Sequence, residues 1–448
     1  MPEPDNIRAY LETAGEQIRW ERARRVVISE LRQHLEDQRD AFAAEGREEA
    51  ERLAVEEMGD PVTVGAELDR IHRPKPQWGL LALTAVFALT GTVLRVWLTA
   101  DWADTYQNLD PLRAGLAFML GCGALLAGYF LDISCLGHYA GKIYVGFLVF
   151  TLLMWRFSPQ VAGVAFYARY MVLFAPVVYV GWLYTCRSKG WRGLVMAILG
   201  GVPLALFCCW IPYMLALVSL LAVGFVLMLM ACWKNWFGVG RWKSLTFFGV
   251  CVAGIIGTVG YWCLRSGYSF PRLTTALHPE RDPLGMGWYG LNIRRSLEVS
   301  QWWGQGSWEY TYPYESVMPL CNSDNLLTTL IYRLGWLPFL LLMLIFAGLV
   351  GCLLVRCLRQ RSQLGQFLVV TVVVMLSVPA LLSVAWNLGF TWNGGLFPLL
   401  MGNVTTVLYM GLIGLALSAF RGDNIVRDQV CNTGYHPRYR IKISIQKL

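Results

Sequence analysis

One carboxylate stands apart in this sequence. Asp324 lies in Cys321-Asn322-Ser323-Asp324-Asn325, immediately before the apolar run that opens at Leu326. Ser, Asp and Asn satisfy the free backbone N–H groups at a helix start, so an N-cap is one reading of this segment. A carboxylate at the edge of an apolar run, after an aromatic-rich stretch, is also a candidate general base, a group that takes a proton from an attacking hydroxyl. Nine residues on comes Arg333, ~13 Å further along if the helix is continuous. A guanidinium that deep in an apolar run needs a partner, an aqueous cavity or a bound anion. Arg169 is a second such cation, a few residues inside another apolar run. Arg95 and Asp132 sit near run ends, where snorkelling toward water is explanation enough.

Other chemistries lack a motif. The chain has no phosphate-binding P-loop, no His-Glu-x-x-His, no Gly-x-Ser-x-Gly and no Cys-x-x-Cys pair. It shows no metal-ligand cluster, and His34 and His72 stand alone. Most of the 12 cysteines fall inside apolar runs, where they read as small packing residues rather than a disulfide framework.

The elements that must position these residues are membrane helices. The 448 residues are 56% hydrophobic and 15% charged, and mean hydropathy is +0.45. That excludes a disordered chain and argues against an ordinary soluble globule. Apolar runs of spanning length, about 20 residues, fall at 78–100, 112–132, 140–157, 166–186, 192–210, 211–233, 244–264, 326–355, 364–390 and 396–420. The count is about ten. Its weakest boundary is Trp210-Ile211-Pro212, where a tight hairpin gives ten spans and one kinked helix gives nine. Lys and Arg recur in alternate short connections: Arg187, Lys189 and Arg192; Lys234, Arg241 and Lys243; Arg356, Arg359 and Arg361; Arg421 and Arg427. Short basic connections face the cytosol. Both termini are therefore expected there, in a plasma-membrane protein with an even number of spans. The segment 265–325 is then a long outer loop, rich in Trp and Tyr from Trp288 to Tyr314 and expected to fold against the membrane surface.

Charge divides the chain further. Residues 1–76 hold 18 acids and 12 bases, net −6; the remaining 12 acids and 26 bases give net +14. The acidic head carries helical apolar spacing, through Ile7, Tyr10, Leu11, Ala14 and Ile18 first, and Asp60-Pro61 is a helix-start signal. Three parts are expected: a cytosolic helical domain over 1–76, a transmembrane body over 77–420, and a cytosolic tail over 421–448. The fold class is all-α and polytopic.

Several segments then resemble one family. Asn322-Ser323-Asp324-Asn325-Leu326-Leu327-Thr328, followed by Tyr332-Arg333-Leu334-Gly335, is similar in spacing to the His-Ser/Thr-Asp-Phe-Ile-Phe-Ala and Gly-Glu-Glu-Leu-Gly elements of the SEDS proteins, the FtsW/RodA/SpoVE group. Gly287-Trp288-Tyr289 through Ser296 to Gly304-Gln305-Gly306 resembles the family segment ending in Gly-Lys-Gly. Asn387-Leu388-Gly389 resembles Asn-x-Gly, and Phe397-Pro398-Leu399-Leu400-Met401-Gly402-Asn403 takes the place of Pro-Phe-Ile-Ser-Tyr-Gly-Gly. The head resembles a permease prefix domain through Gln17-Ile18-Arg19-Trp20 and Met58-Gly59-Asp60-Pro61-Val62. The resemblance implies ten spans and a peptidoglycan glycosyltransferase that polymerises lipid II during cell-wall synthesis, division or shape maintenance. It implies a class B penicillin-binding transpeptidase as partner, a divalent cation as cofactor, and no nucleic acid. It makes Asp324 the catalytic residue, with Arg333, Arg169, Asn387, Gly402 and Asn403 expected to bind substrate. The departures lie in the middle spans, where the family's Arg-Trp, Gln-Pro-Ser-Glu and Gln-Pro-Asp-Leu-Gly elements are missing. Trp210-Ile211-Pro212-Tyr213 stands near the last of these, and Tyr332-Arg333 replaces the Glu-Glu pair. Two alternatives stay open: an inactive scaffold or regulator of a transpeptidase, and a flippase for a lipid-linked precursor.

Overall fold

The computed structural model describes residues 6–47, 49–74, 76–99, 110–161, 163–267, 269–307 and 323–422. Cys321, Asn322, Trp308, Tyr310, Tyr312, Tyr314 and the tail from 423 onward lie outside the described residues. In chain order the helices begin with α1 (Asn6–Glu16), α2 (Glu21–Ala44), α3 (Ala50–Met58) and α4 (Pro61–His72) in the head. Then come α5 (Trp78–Thr99), α6 (Pro111–Phe130), the short α7 (Ser134–His138) and α8 (Ala140–Phe157). A two-residue hairpin, β1 (Gln160–Val161) with β2 (Val164–Ala165), leads to α9 (Ala168–Met171), a 3-10 turn (Val172–Phe174) and α10 (Ala175–Thr185). Next are α11 (Gly190–Trp210), α12 (Met214–Trp233), α13 (Arg241–Arg265), α14 (Ser269–Leu277) and α15 (Trp288–Glu298). The last four are α16 (Leu326–Leu334), α17 (Trp336–Leu358), α18 (Gln363–Asn387) and α19 (Asn403–Arg421).

Among the described residues, 9 helices are long and apolar enough to cross a membrane: α5, α6, α8, α11, α12, α13, α17, α18 and α19. The chain is a multi-pass membrane protein. The tenth expected span, 166–186, is not one helix but the unbroken series α9, 3-10 turn and α10. Pro176, in the first turn of α10, cannot donate to the preceding turn, which accounts for the change of winding. The series still runs roughly 28 Å, close to the ~30 Å of a bilayer core. At the weakest sequence boundary, Ile211–Tyr213 is a turn that separates α11 from α12.

Three expectations need correction. The run 326–355 is not a single span: Gly335, at φ 98, breaks it into α16 and the 23-residue α17. α17 alone is long enough to cross, so Arg333 belongs to a short helix preceding the span and is not buried deep within it. The last span starts at Asn403 rather than 396, because Leu399 (φ 65) and Gly402 (φ 80) turn the chain before α19. Arg95 is not a snorkelling side chain, being 1% exposed inside α5.

The chain forms two compact units. Among the described residues, the first comprises 6–134, Leu340–Val372 and 399–422. Its head helices bury Ile7, Tyr10, Leu11, Ala14, Leu31, Leu35 and Ala54 together. The Asp60 carboxylate caps α4 by accepting from Thr63 N–H at 2.9 Å. Asp69 accepts from Arg19 N–H at 3.0 Å and pairs with Arg73 at 3.0 Å, tying α4 to the link between α1 and α2. α6 and α19 pack backbone to backbone: a Cβ on Gly414 would clash with Leu125 O. At the end of α19 the Arg421 guanidinium lies 5.8 Å from the Trp20 ring of the head, 5.3 Å from Tyr129 and 4.9 Å from Phe130.

Among the described residues, the second unit comprises 135–339 and Val373–Pro398. It holds Asp324, Arg169, Arg333 and Asn387, whereas Gly402 and Asn403 belong to the first unit.

Candidate functional site

Asp324 sits in a 3-10 turn, Ser323–Asn325, that leads into α16. It is exposed, while the residues that follow it, from Asn325 to Tyr332, are buried. Asn325, not Asp324, occupies the N-cap position of α16. The third amide of that helix, Thr328 N–H, donates to Asn387 Oδ1 at 2.9 Å, so the cap comes from the far end of α18. Thr328 Oγ1 also donates to Asn387. Asn387 Nδ2 in turn donates to the Asp324 carbonyl at 3.0 Å and to Ser383 O at 2.8 Å. Trp386 Nε1 donates to Asn325 Oδ1 at 2.8 Å. Two neighbouring residues of α18 thus fix the backbone that presents Asp324. Asn387 was expected to bind substrate. Its side chain is 1% exposed and bonded inside the protein on both its oxygen and its nitrogen.

The other end of α16 is held as firmly. Gly304 N–H donates to Leu334 O at 2.9 Å and Gly306 N–H to Tyr332 O at 2.8 Å. Trp336 N–H and Leu337 N–H reach back to Gln301 O and Trp302 O. A Cβ on Gly335 would lie 2.6 Å from Trp302 O, and its φ of 98 disfavours any side chain. The structure therefore brings Gly304-Gln305-Gly306 and Leu334-Gly335 together. α15 lies against the end of α18, with the Tyr289 and Trp386 rings 6.2 Å apart and Arg294 packed on Gly389. Arg333 is half-buried in the last turn of α16. Asp324 and Arg333 stand at opposite ends of this helix, ~13 Å apart along its axis.

A polar residue in electrostatic reach of Asp324 comes from elsewhere in the chain. Tyr213, in the turn between α11 and α12, is half-buried, and its phenol is pushed up to about 12. Burial is the largest cause; the charges of Tyr170 and Asp324 raise it further, and the Arg169 guanidinium opposes them. Tyr213 is therefore within electrostatic reach of Asp324, Arg169 and Tyr170 at once. Arg169 Nη2 donates to Tyr170 Oη at 2.7 Å, and its guanidinium lies 4.6 Å from the Phe166 ring and 4.7 Å from the Tyr170 ring. Arg169 Nε is buried with no hydrogen-bond partner among the described residues. An exposed carboxylate in electrostatic reach of a half-buried phenol, which also feels a guanidinium, offers a proton acceptor and a route to holding an anion. Tyr213 was not singled out as functional from sequence, although its segment marked a departure from the family pattern.

In the first unit, Asn403 Oδ1 accepts from Arg95 Nη2 at 2.6 Å, and Gly402 holds a φ of 80 at the start of α19. Among the described residues, no group of three or more His, Cys, Asp or Glu could hold a metal ion.

A chain from a peptidoglycan synthase complex, solved in work on the structural coordination of polymerization and crosslinking, overlays 77% of this chain and 97% of its own, with a TM-score of 0.58 at 17% identity. The rod shape determining protein RodA of Thermus thermophilus overlays 78% and 97%, with a TM-score of 0.50 at 15% identity. This is the SEDS fold. Curated relatives agree with it: probable peptidoglycan glycosyltransferases FtsW of Trichlorobacter lovleyi, 24% identical over 166 residues, and of Aliivibrio salmonicida, 25% identical over 225 residues. The first match covers 37% of this chain and 43% of the relative, the second 49% and 54%. The chain thus spans about half the length of the curated relatives it matches. No family model matches it. Asp324 and α16 lie at the end of the segment that joins α13 to α17.

Proposed function

We propose that this chain is a peptidoglycan glycosyltransferase that extends glycan strands from lipid II, with Asp324 as general base. The observation that carries the reading is an exposed carboxylate on a backbone fixed by Asn387 and Trp386, within electrostatic reach of the Tyr213 phenol. A sugar hydroxyl of the acceptor loses its proton to Asp324 as it attacks the anomeric carbon of the donor. The bond from that carbon to the undecaprenyl diphosphate breaks, and the diphosphate leaves with the electron pair. Arg169 supplies positive charge to the leaving group, and the Tyr213 phenol supplies a neutral hydrogen-bond donor. Arg333 serves the lipid-linked substrate from the far end of α16, Asn387 positions Asp324, and Gly402 and Asn403 contribute to substrate binding.

The family resemblance adds a divalent cation. The described residues offer no protein cage for one, but Asp324 fits as a single carboxylate ligand beside substrate diphosphate oxygens, the arrangement magnesium favours. When bound, it would neutralise charge on the leaving diphosphate. The partner proposed is a class B penicillin-binding transpeptidase, a reading supported by the likeness to a peptidoglycan synthase complex. Both termini face the cytosol in this reading, from the alternation of basic connections.

The test is purified full-length protein reconstituted with lipid II and a divalent cation, with and without a transpeptidase partner. Glycan strands on a gel are expected. Binding of the partner with no strands under any condition would contradict the enzyme reading in favour of an inactive scaffold, which the replacement of the family's Glu-Glu pair by Tyr332-Arg333 favours.

A further inference from the structure

Arg95 is a fully buried arginine in a membrane-crossing helix, which a span-end position alone does not explain. Gly91 and Arg95 are one turn apart and share a face of α5. On that face lies the turn that precedes α19. A Cβ on Gly91 would stand 2.6 Å from Leu399 O and 3.0 Å from Leu400 Cα, so the turn backbone rests directly on the helix. Four residues along, Arg95 Nη2 donates to Asn403 Oδ1 at 2.6 Å, a short charge-assisted bond. The turn between these contacts is strained. Leu399 holds a φ of 65, a left-handed conformation that a leucine rarely adopts, and Gly402 a φ of 80. Leu399, Leu400 and Met401 are each 0% exposed. A strained turn persists only where its surroundings over-determine it, and here α5 supplies the missing constraint from two sides.

We infer that the Gly91–Arg95 face of α5 is a clamp on the turn from Leu399 to Asn403, and that Arg95 is a positioning residue for Gly402 and Asn403. The division of labour follows from chemistry. Gly91 allows the backbone close; Arg95 fixes the side chain that opens α19, and its planar fork sets a direction that a lysine ammonium does not. The consequence for catalysis rests on the proposed glycosyltransferase reading, in which Gly402 and Asn403 bind substrate: loosening the clamp weakens substrate binding and leaves the general base untouched.

The experiment uses the full chain in detergent, as Arg95→Gln, Asn403→Ala, their double variant and Arg95→Lys. Hydrogen–deuterium exchange reports on residues 397–406, and lipid II polymerisation gives KM and kcat. Each single variant is expected to speed exchange in that segment about tenfold, and the double variant by less than the product of the two, because both remove the Arg95–Asn403 bond. KM for lipid II rises about tenfold with kcat within about twofold, whereas general damage to the fold would lower kcat through loss of active protein. Arg95→Lys falls between Arg95→Gln and the wild type. Unchanged exchange, or exchange effects that add in the double variant, would overturn the clamp. If Arg95→Gln fails to accumulate, Asn403→Ala and Gly91→Ala carry the same exchange test. Faster exchange in a protein whose wild type makes no glycan supports the clamp and counts against the glycosyltransferase reading alone.

Discussion

Asn387 does for α16 what local sequence suggested Asp324 would do. Its carbonyl oxygen takes the third amide of the helix from a position 59 residues away in the chain. Such a cap is invisible to local reading, which finds caps only in the residues just before a helix. Asp324 could be singled out as a candidate from sequence, because a carboxylate at the edge of an apolar run needs a reason. Tyr213 was not, because a tyrosine in a turn between two apolar runs has an ordinary explanation at a membrane interface. Its contribution is testable. Its raised value, about 12, follows from burial and from the Asp324 anion, both of which disfavour the phenolate. It therefore stays a neutral donor through the physiological range. Tyr213→Phe should lower kcat for lipid II polymerisation about ten- to hundredfold, with the pH profile unchanged in shape and thermal stability within normal scatter. An alkaline limb that disappears in the variant would contradict the assignment.

Helix breaks were the least legible feature at the scale of elements. The run from Leu326 through Leu334-Gly335-Trp336 is apolar throughout, so hydropathy joins α16 to α17. The break is tertiary in origin: Gly304 and Gly306 bond to the last carbonyls of α16, and Trp302 crowds Gly335. Gly335→Ala should cost about 1–3 kcal/mol through the strained φ and the close oxygen, read as a lower melting temperature of the detergent-purified protein. A neutral outcome would mean that the break relaxes freely. The head, in contrast, was readable from its Asp60-Pro61 start and Gly59 stop, and the side chain of Asp60 caps α4. Its pH response follows. For Asp69, burial pushes the carboxyl up, but the Arg19 N–H and Arg73 outweigh it and the net is downward; Asp60 is lowered by the Thr63 hydroxyl and N–H. Depressed carboxylates bind protons more weakly in the folded than in the unfolded state. Their stabilisation is therefore present above the ordinary carboxylate range and lost as pH falls through the lowered values. A fragment of residues 1–74 should be helical by circular dichroism with a melting temperature level from pH 7 to about 5 and falling below about 4. Asp69→Asn should flatten that fall, and a rise in stability on acidification would contradict it.

Composition carried most of the information about the molecule as a whole. A polytopic membrane body of about ten crossings was legible because lipid leaves a spanning chain few alternatives to apolar helices. The fourth crossing shows the limit, since Pro176 divides a run whose hydropathy is uninterrupted. Orientation is a separate prediction. A single reactive cysteine at position 436 of an otherwise cysteine-free chain should be labelled only from the cytosolic side, and labelling from outside would contradict an even number of crossings. The central claim is catalytic, and one substitution tests it most directly. Because Asn387 holds the helix cap, Asp324→Asn removes a proton acceptor and leaves the cap of α16 in place. Measured on lipid II with purified protein, its partner and a divalent cation, the variant should lose about 10²–10⁴-fold in polymerisation rate while inserting, binding its partner and melting like the wild type. Wild-type polymerisation by Asp324→Asn would contradict the account.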